Sequence, residues 1–214
     1  SEAEWSARQQ LAACYRIFDL LGWTELIFNH ITLRVPGDVP GEEGAFLINP
    51  FGLHFSEITA SNLVKIDIDG NKLAESDWGV NLAGFVQHAA FHRHLPDAHC
   101  VMHTHSTAGM AVACLEDGLS ISNFYAGQVA GQVAYHDFEG ITVRDDEGPR
   151  LIADLGDKRL MILRNHGLLA MGPTVPAAFL RLWALERACQ IQMAAAPMGK
   201  LRAIPADVLA VHQR

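Results

Sequence analysis

The chain has 214 residues, half of them hydrophobic and 19% charged, a composition that belongs to a folded globular protein and excludes a disordered one. One α/β domain commonly occupies this length, so residues 1–214 are read as a single domain. The formal net charge of -8, with Lys and Arg scattered, argues against nucleic acid as a partner, and no apolar stretch reaches the roughly 20 residues that span a bilayer, which argues against a membrane.

Apolar residues at helical spacing predict an opening helix over residues 5–21, with Leu11, Cys14, Tyr15, Phe18 and Leu21 inward and Gly22 as a left-handed cap. Its acidic start, Glu2 and Glu4, is unlike a basic signal peptide. Ile31, Leu33 and Val35 alternate with Thr32 and Arg34 as a strand that runs into Pro36-Gly37, and residues 45–48 form a second strand. A helix is expected over residues 79–95, with Leu82, Phe85, Val86 and Ala89 buried and Pro96 ending it. A buried strand over residues 99–105 and a short Ala-rich helix over 106–115 follow, then a strand over 128–135 framed by glycine. Apolar runs at 160–163 and 168–171 flank Asn165-His166-Gly167, and a long helix spans 175–195 with Thr174 as its N-cap. Strands and helices alternate without repeats, which predicts a layered sheet covered by helices. Cys14, Cys100, Cys114 and Cys189 lack the close spacing of a zinc ribbon or a redox dithiol, so buried free thiols and a cytoplasmic location are expected.

Two of the eleven histidines, His103 and His105, are two apart in a strand, so their rings leave one face and can converge on an ion. The pair alone is a weak sign; His166, in a turn beside a glycine that allows close backbone approach, strengthens it. Three imidazoles with a fourth position open is the pattern of a catalytic zinc. His92 and His94 lie near a helix C-terminus, where the dipole favours positive charge, and are read as solvated. His88 is read as a hydrogen-bonded helix residue beside the site. His30, His54, His99 and His136 are each a satisfied polar group or a substrate contact, and His212 belongs to the tail.

Three blocks then stand out: Gly22-Trp23 with Asn29-His30-Ile31-Thr32-Leu33-Arg34, His103-Thr104-His105-Ser106, and Asn165-His166-Gly167. Together they resemble the class II aldolase and adducin head-domain family over residues 11–195. The resemblance implies a three-layer α/β/α sandwich with a mixed, largely antiparallel central sheet. It also implies zinc, or another divalent metal such as manganese or cobalt, on His103, His105 and His166, and a homotetramer with the metal near a subunit interface. The family's sugar-phosphate aldolases carry an acid/base Glu after two serines in the helix before the histidine pair. Alignment on His88 puts Leu82, Ala83 and Gly84 at those three places, so the Glu and both hydroxyls are missing. Asn29 matches a family substrate contact, although Phe28 replaces the preceding glycine, and Asn49-Pro50-Phe51-Gly52 resembles a substrate loop. Free N–H groups near Asn81 can receive a carboxylate. Tyr125, Tyr135, His136, Asp137 and Glu139 are candidate proton donors, unranked.

The resemblance leads to a metal-dependent carbon–carbon lyase, by retro-aldol cleavage or decarboxylation, acting on a small carbonyl or hydroxy-acid substrate without a phosphate. The competing expectation is a non-catalytic, adducin-like binding or assembly module.

Overall fold

Helix α1 (Glu2–Leu21) starts three residues earlier than its apolar periodicity indicates, because the Ser1 side chain accepts the Glu4 N–H and Glu2 and Glu4 suit the positive end of the helix dipole. Gly22 closes it in the left-handed conformation. In this computed structural model the described residues are 1–36, 44–141 and 145–212, without the side chains of Leu82, Asp145 and His212. Gly37 and the expected inward placement of Leu82 therefore fall outside the described set.

Strands β1 (His30–Arg34), β2 (Phe46–Ile48) and β3 (Val64–Ile66) precede helix α2 (Leu82–His94) and strand β4 (Cys100–Thr104). Helices α3 (Thr107–Ala113) and α4 (Phe124–Gln128), strand β5 (Val133–His136) and helix α5 (Gly148–Leu155) follow. Strands β6 (Leu160–Leu163) and β7 (Gly167–Gly172) and helices α6 (Val175–Ala195) and α7 (Ala206–His212) complete the order. The strands form one sheet in the order β3-β2-β1-β4-β7-β6-β5. All neighbours are antiparallel except β5 and β6, whose parallel pairing is connected through α5. This is the mixed, largely antiparallel sheet expected.

Side-chain alternation along the strands separates two apolar layers. Ile31, Leu33, Met102, Ile162 and Leu168 pack with residues of α1, α3, α4 and α6. Val101, Met161, Leu163, Leu169 and Met171 pack with Phe91 of α2 and with Leu151 and Leu155 of α5, while Phe85 and Ala89 of α2 cover β2 and β3. The sheet thus lies between helical layers.

Two expectations need correction. Residues 128–135 do not form one strand: α4 ends at Gln128, a turn follows, and β5 begins at Val133. Asn123 caps α4 by accepting the Ala126 N–H, which starts a helix that the sequence reading did not include. Cys14, Cys100 and Cys189 are buried free thiols, but Cys114, at the C-cap of α3, is exposed. No described helix is long and apolar enough to cross a membrane.

Tyr15 joins α1 to the sheet. Its buried hydroxyl accepts the Ile31 N–H at 2.9 Å, and the Ile31 carbonyl at 2.5 Å and Asn49 Oδ1 at 2.9 Å lie within reach of its proton. Tyr15→Phe leaves these buried groups short of a partner and should lower unfolding free energy by about 1–3 kcal/mol, measured by urea denaturation.

Candidate metal centre

Two segments bring the candidate metal-site histidines together. His103 is the fourth residue of β4 and, by strand alternation from Val101, faces the α2 side; His105 follows the end of the strand. His166 sits in the turn between β6 and β7, where Asn165 adopts φ 56°, the left-handed region that Asn tolerates better than most residues. Gly167 then admits β7: a Cβ there would lie 2.3 Å from the Thr104 carbonyl oxygen and 3.2 Å and 3.3 Å from the rings of His105 and His103. One ring nitrogen from each histidine lies within 4.8 Å of those of the other two.

The rings are held neutral and partly oriented. Burial pushes His103 well below the ordinary histidine range, with repulsion from His166 and His105 adding to it. Burial lowers His105 as well, and takes His166 down to about 4. His103 Nδ1 lies 2.9 Å from the Leu168 carbonyl, which can only accept, so Nδ1 carries the proton and Nε2 the lone pair. That lone pair faces His105 Nε2 at 2.7 Å. Three converging neutral imidazoles, one with its tautomer locked by a carbonyl, are a donor set that suits zinc and neighbouring divalent ions.

Asn29 supports this arrangement from behind. Its Oδ1 accepts the His105 N–H at 2.9 Å and its Nδ2 donates to the Trp23 carbonyl at 2.9 Å. Both ends of the amide are engaged by the protein, and Asn29 is not among the residues that line the cavity. Gly52 likewise lies outside the lining, with Phe51 on the rim in its place.

The cavity in front of the triad has a volume of about 410 Å³. Phe28, Phe51, Met110, Phe138 and Ile141 give it apolar walls, and Ala83 and Gly84 at the amino end of α2 border it. Among the described residues none of its lining is Asp, Glu, Lys or Arg. The five candidate proton donors lie elsewhere: Tyr135 accepts the Leu119 N–H, His136 pairs with Asp154, Glu139 with Arg150 and Asp137 with Arg164, and Arg187 lies over Tyr125. None of the five borders the cavity.

A buried polar row that sequence periodicity missed runs behind the cavity. His92, expected in solvent, is only 4% exposed: its ring stacks on Phe46 and its Nδ1 lies 2.7 Å from the Ala98 carbonyl. His94 is exposed as expected. His92 Nδ1 therefore holds the proton, and Thr32 Oγ1, 2.7 Å from His92 Nε2, donates to it. His88 Nδ1, also 2.7 Å from Thr32 Oγ1, must then donate in turn, which fits the hydrogen-bonded role expected of it. His30, left open by the sequence, is 5% exposed, borders the cavity and packs on His88 and His103 with ring centroids 4.4 Å and 5.1 Å away. The one signal for His30 in the sequence was its two-residue spacing from Thr32 on β1. The Nε2 atoms of His30 and His88 are buried without a hydrogen-bond partner, a state that costs about 1–3 kcal/mol each.

The sequence and the fold have relatives among known proteins. Residues 9–193 match the family model described as Class II Aldolase and Adducin N-terminal domain. A Caulobacter vibrioides protein described as "Putative aldolase class 2 protein" is 48% identical over 94% of this chain and 76% of its own length. Rat alpha-adducin is 45% identical over 87% of this chain, which spans only 25% of that protein. The crystal structure of an aldolase II superfamily protein from Pseudomonas syringae superposes with a TM-score of 0.94 and 47% identity, covering 99% of this chain and 85% of that one.

Burial lowers His92 from the ordinary 6.5 to about 3, so between those values the unfolded chain binds the extra proton. The stabilisation is complete above pH 6.5 and is lost as pH falls toward 3, at about 1.4 kcal/mol per pH unit for this group. Urea unfolding measured from pH 7 to pH 4 should show that decline, and His92→Gln should flatten it by about one proton's worth of slope.

Proposed function

The chain belongs to the class II aldolase and adducin N-terminal domain family, and on that premise we propose that it is a divalent-metal-dependent carbon–carbon lyase for a small carbonyl or hydroxy-acid substrate that carries no phosphate. The observation that carries this reading is the convergence of His103, His105 and His166 on a cavity whose described lining has no charged side chain. Those three residues would hold the ion, zinc in the first instance with manganese or cobalt as alternatives. Once bound, such an ion supplies a Lewis acid that draws electron density from a substrate carbonyl while the neighbouring carbon–carbon bond breaks, by retro-aldol cleavage or loss of CO2.

The chain's own residues supply binding and exclusion. The Leu168 carbonyl keeps the His103 Nε2 lone pair available, and Asn29 fixes the backbone of His105. Backbone N–H groups at the amino end of α2, beside Ala83 and Gly84, can receive a substrate carboxylate. Phe28, Phe51 and Ile141 line the cavity with apolar surface and limit water there. A phosphate at the far end of a substrate would meet those apolar side chains, with no cationic group among the described lining to pair with it.

These exposed apolar residues, Phe28 and Ile141 among them, also support the proposal that copies of the chain associate around the site as a homotetramer. Three buried free thiols support a reducing, cytoplasmic location. The second reading is a non-catalytic binding or assembly module, favoured by the identity with alpha-adducin.

Purified protein should carry close to one divalent ion per chain by elemental analysis, and His103→Ala should lose most of it. Equal metal in both samples would remove the ligand assignment. The metal-loaded protein should then turn over one or more members of a panel of hydroxy and keto acids while leaving sugar phosphates almost untouched. Without the family Glu, a loss of roughly 10²–10⁴-fold is expected on sugar phosphates. Rapid cleavage of a sugar phosphate would sink the substrate class, and a metal-free protein inert on every compound would favour the assembly module.

A further inference from the structure

Strands β5 and β6 are parallel and end level with each other, His136 opposite Leu163. The residues that leave them therefore emerge at one end of the sheet, residues 164–166 with His166 and residues 137–141 with Phe138. The Phe138 ring meets the His166 ring edge to face, with centroids 6.1 Å apart and planes at 71°. Both of its neighbours in sequence are tied down. Asp137 pairs with Arg164 at 3.6 Å, and Arg150 of α5 donates two hydrogen bonds to the Glu139 carboxylate. His136 Nδ1 lies 2.7 Å from Asp154 Oδ2 of the same helix. The ring is thus displayed by a braced segment, yet Phe138 is 54% exposed. Apolar surface held in water beside a set of metal donors gains free energy when a ligand covers it, and a braced ring has little further ordering to lose.

We propose that the substrate carries an apolar end, an aryl or branched alkyl group, that packs on Phe138 while its acid or carbonyl end is held at the triad, and that Phe138 selects for that group. The proposal rests on the lyase reading for the end held at the triad, whereas the packing on Phe138 does not. The cavity lining divides by element. Besides the histidines, its polar side chains are Asn81 and Gln87, from α2 and its cap, and Asn165, from the turn of His166. Phe51 and Met110, both exposed, join Phe138 from other segments. A hydroxylated, sugar-like tail would give up water against those apolar side chains, with no charged partner among the described lining. An apolar tail gains from the same contact. There is room for it in about 410 Å³, since pockets upward of about 300 Å³ take ligands of drug size.

The probes are phenyllactate, 2-hydroxy-4-methylpentanoate, lactate and erythronate, 2-hydroxy acids that differ in their tails, each titrated calorimetrically into zinc-loaded protein. Wild type should bind phenyllactate about tenfold to hundredfold more tightly than lactate, the range for taking a phenyl group out of water, with the branched acid between them. Erythronate, whose tail is hydroxylated, should bind no more tightly than lactate. Phe138→Ala should remove most of the preference and leave lactate affinity unchanged, and Phe138→Leu should keep part of it. Because Phe138 is exposed, both variants should melt with wild type. Zinc content measured on the same samples separates the two readings. If zinc is absent, the metal assignment fails and the ratio is read on metal-free protein, where the same preference is expected at lower affinity. Equal affinity of wild type for phenyllactate and lactate, tighter binding of erythronate than of phenyllactate, or a preference that survives Phe138→Ala would each overturn the inference, as would binding of neither acid, with or without zinc. A fall in the mass of Phe138→Ala by light scattering, relative to wild type, would assign the ring to a contact between copies and overturn it as well.

Discussion

Burial of imidazole is the constraint on which this end of the molecule depends. His30, His88, His92 and His103 are all nearly solvent-free, and burial holds every one of them below the ordinary histidine range. A neutral imidazole offers one donor and one acceptor, so each ring must find a carbonyl or hydroxyl for its proton. Phe28, Ala98 and Leu168 supply the carbonyls, and Thr32 passes the requirement from His92 to His88. Once those donors are placed, the remaining ring nitrogens behind and beside the cavity are acceptors. A wall of that kind has an unmet need for positive charge or for hydrogen-bond donors, whether or not a metal is considered.

Two glycines make the wall possible, for different reasons. Gly167 lets β7 approach the Thr104 carbonyl to a distance that no Cβ permits, and so packs the His166 turn against the rings of β4. Gly84 lets α2 lie on the His30 ring. Neither has a positive φ, so backbone freedom is not what they provide. What they provide is space, and the loss of that space would be felt by a ring rather than by the glycine itself.

The sequence disclosed whichever features depend on local periodicity. The bounds of α6 and its Thr174 cap match the expected helix, because the apolar run, the cap and Pro176 all agree. His103 and His105 were legible as a pair because strand alternation is a two-residue rule. His92 was not, because its partners are Phe46, Thr32 and Ala98, two of them distant in sequence, and a dipole argument about its own helix weighs none of them. The same limit applied to β1. Alternation of His30 and Thr32 with Ile31 and Leu33 reads as one polar and one apolar face, which suggests solvent on the polar side. Here α2 covers that side, so the polar face became interior and its hydrogen bonds had to be closed within the protein. The Glu-to-Gly difference at 84 read as a loss in one dimension and as a replacement in three.

Exchanging a carboxylate for an imidazole also changes the charge of the site. A carboxylate beside three histidines would favour their protonated forms and set protons against a metal for the same lone pairs. A neutral His30 does neither: its neighbours His103, His105 and His166 all stay below the ordinary histidine range. On the proposed reading, the charge of a divalent ion would then be uncompensated by any described side chain of the lining. That excess is available to an anionic substrate, and the amino end of α2 adds to it from the adjacent wall. A small hydroxy acid fits on two counts: its carboxylate answers the positive charge, and its size suits a cavity of about 410 Å³ with apolar walls.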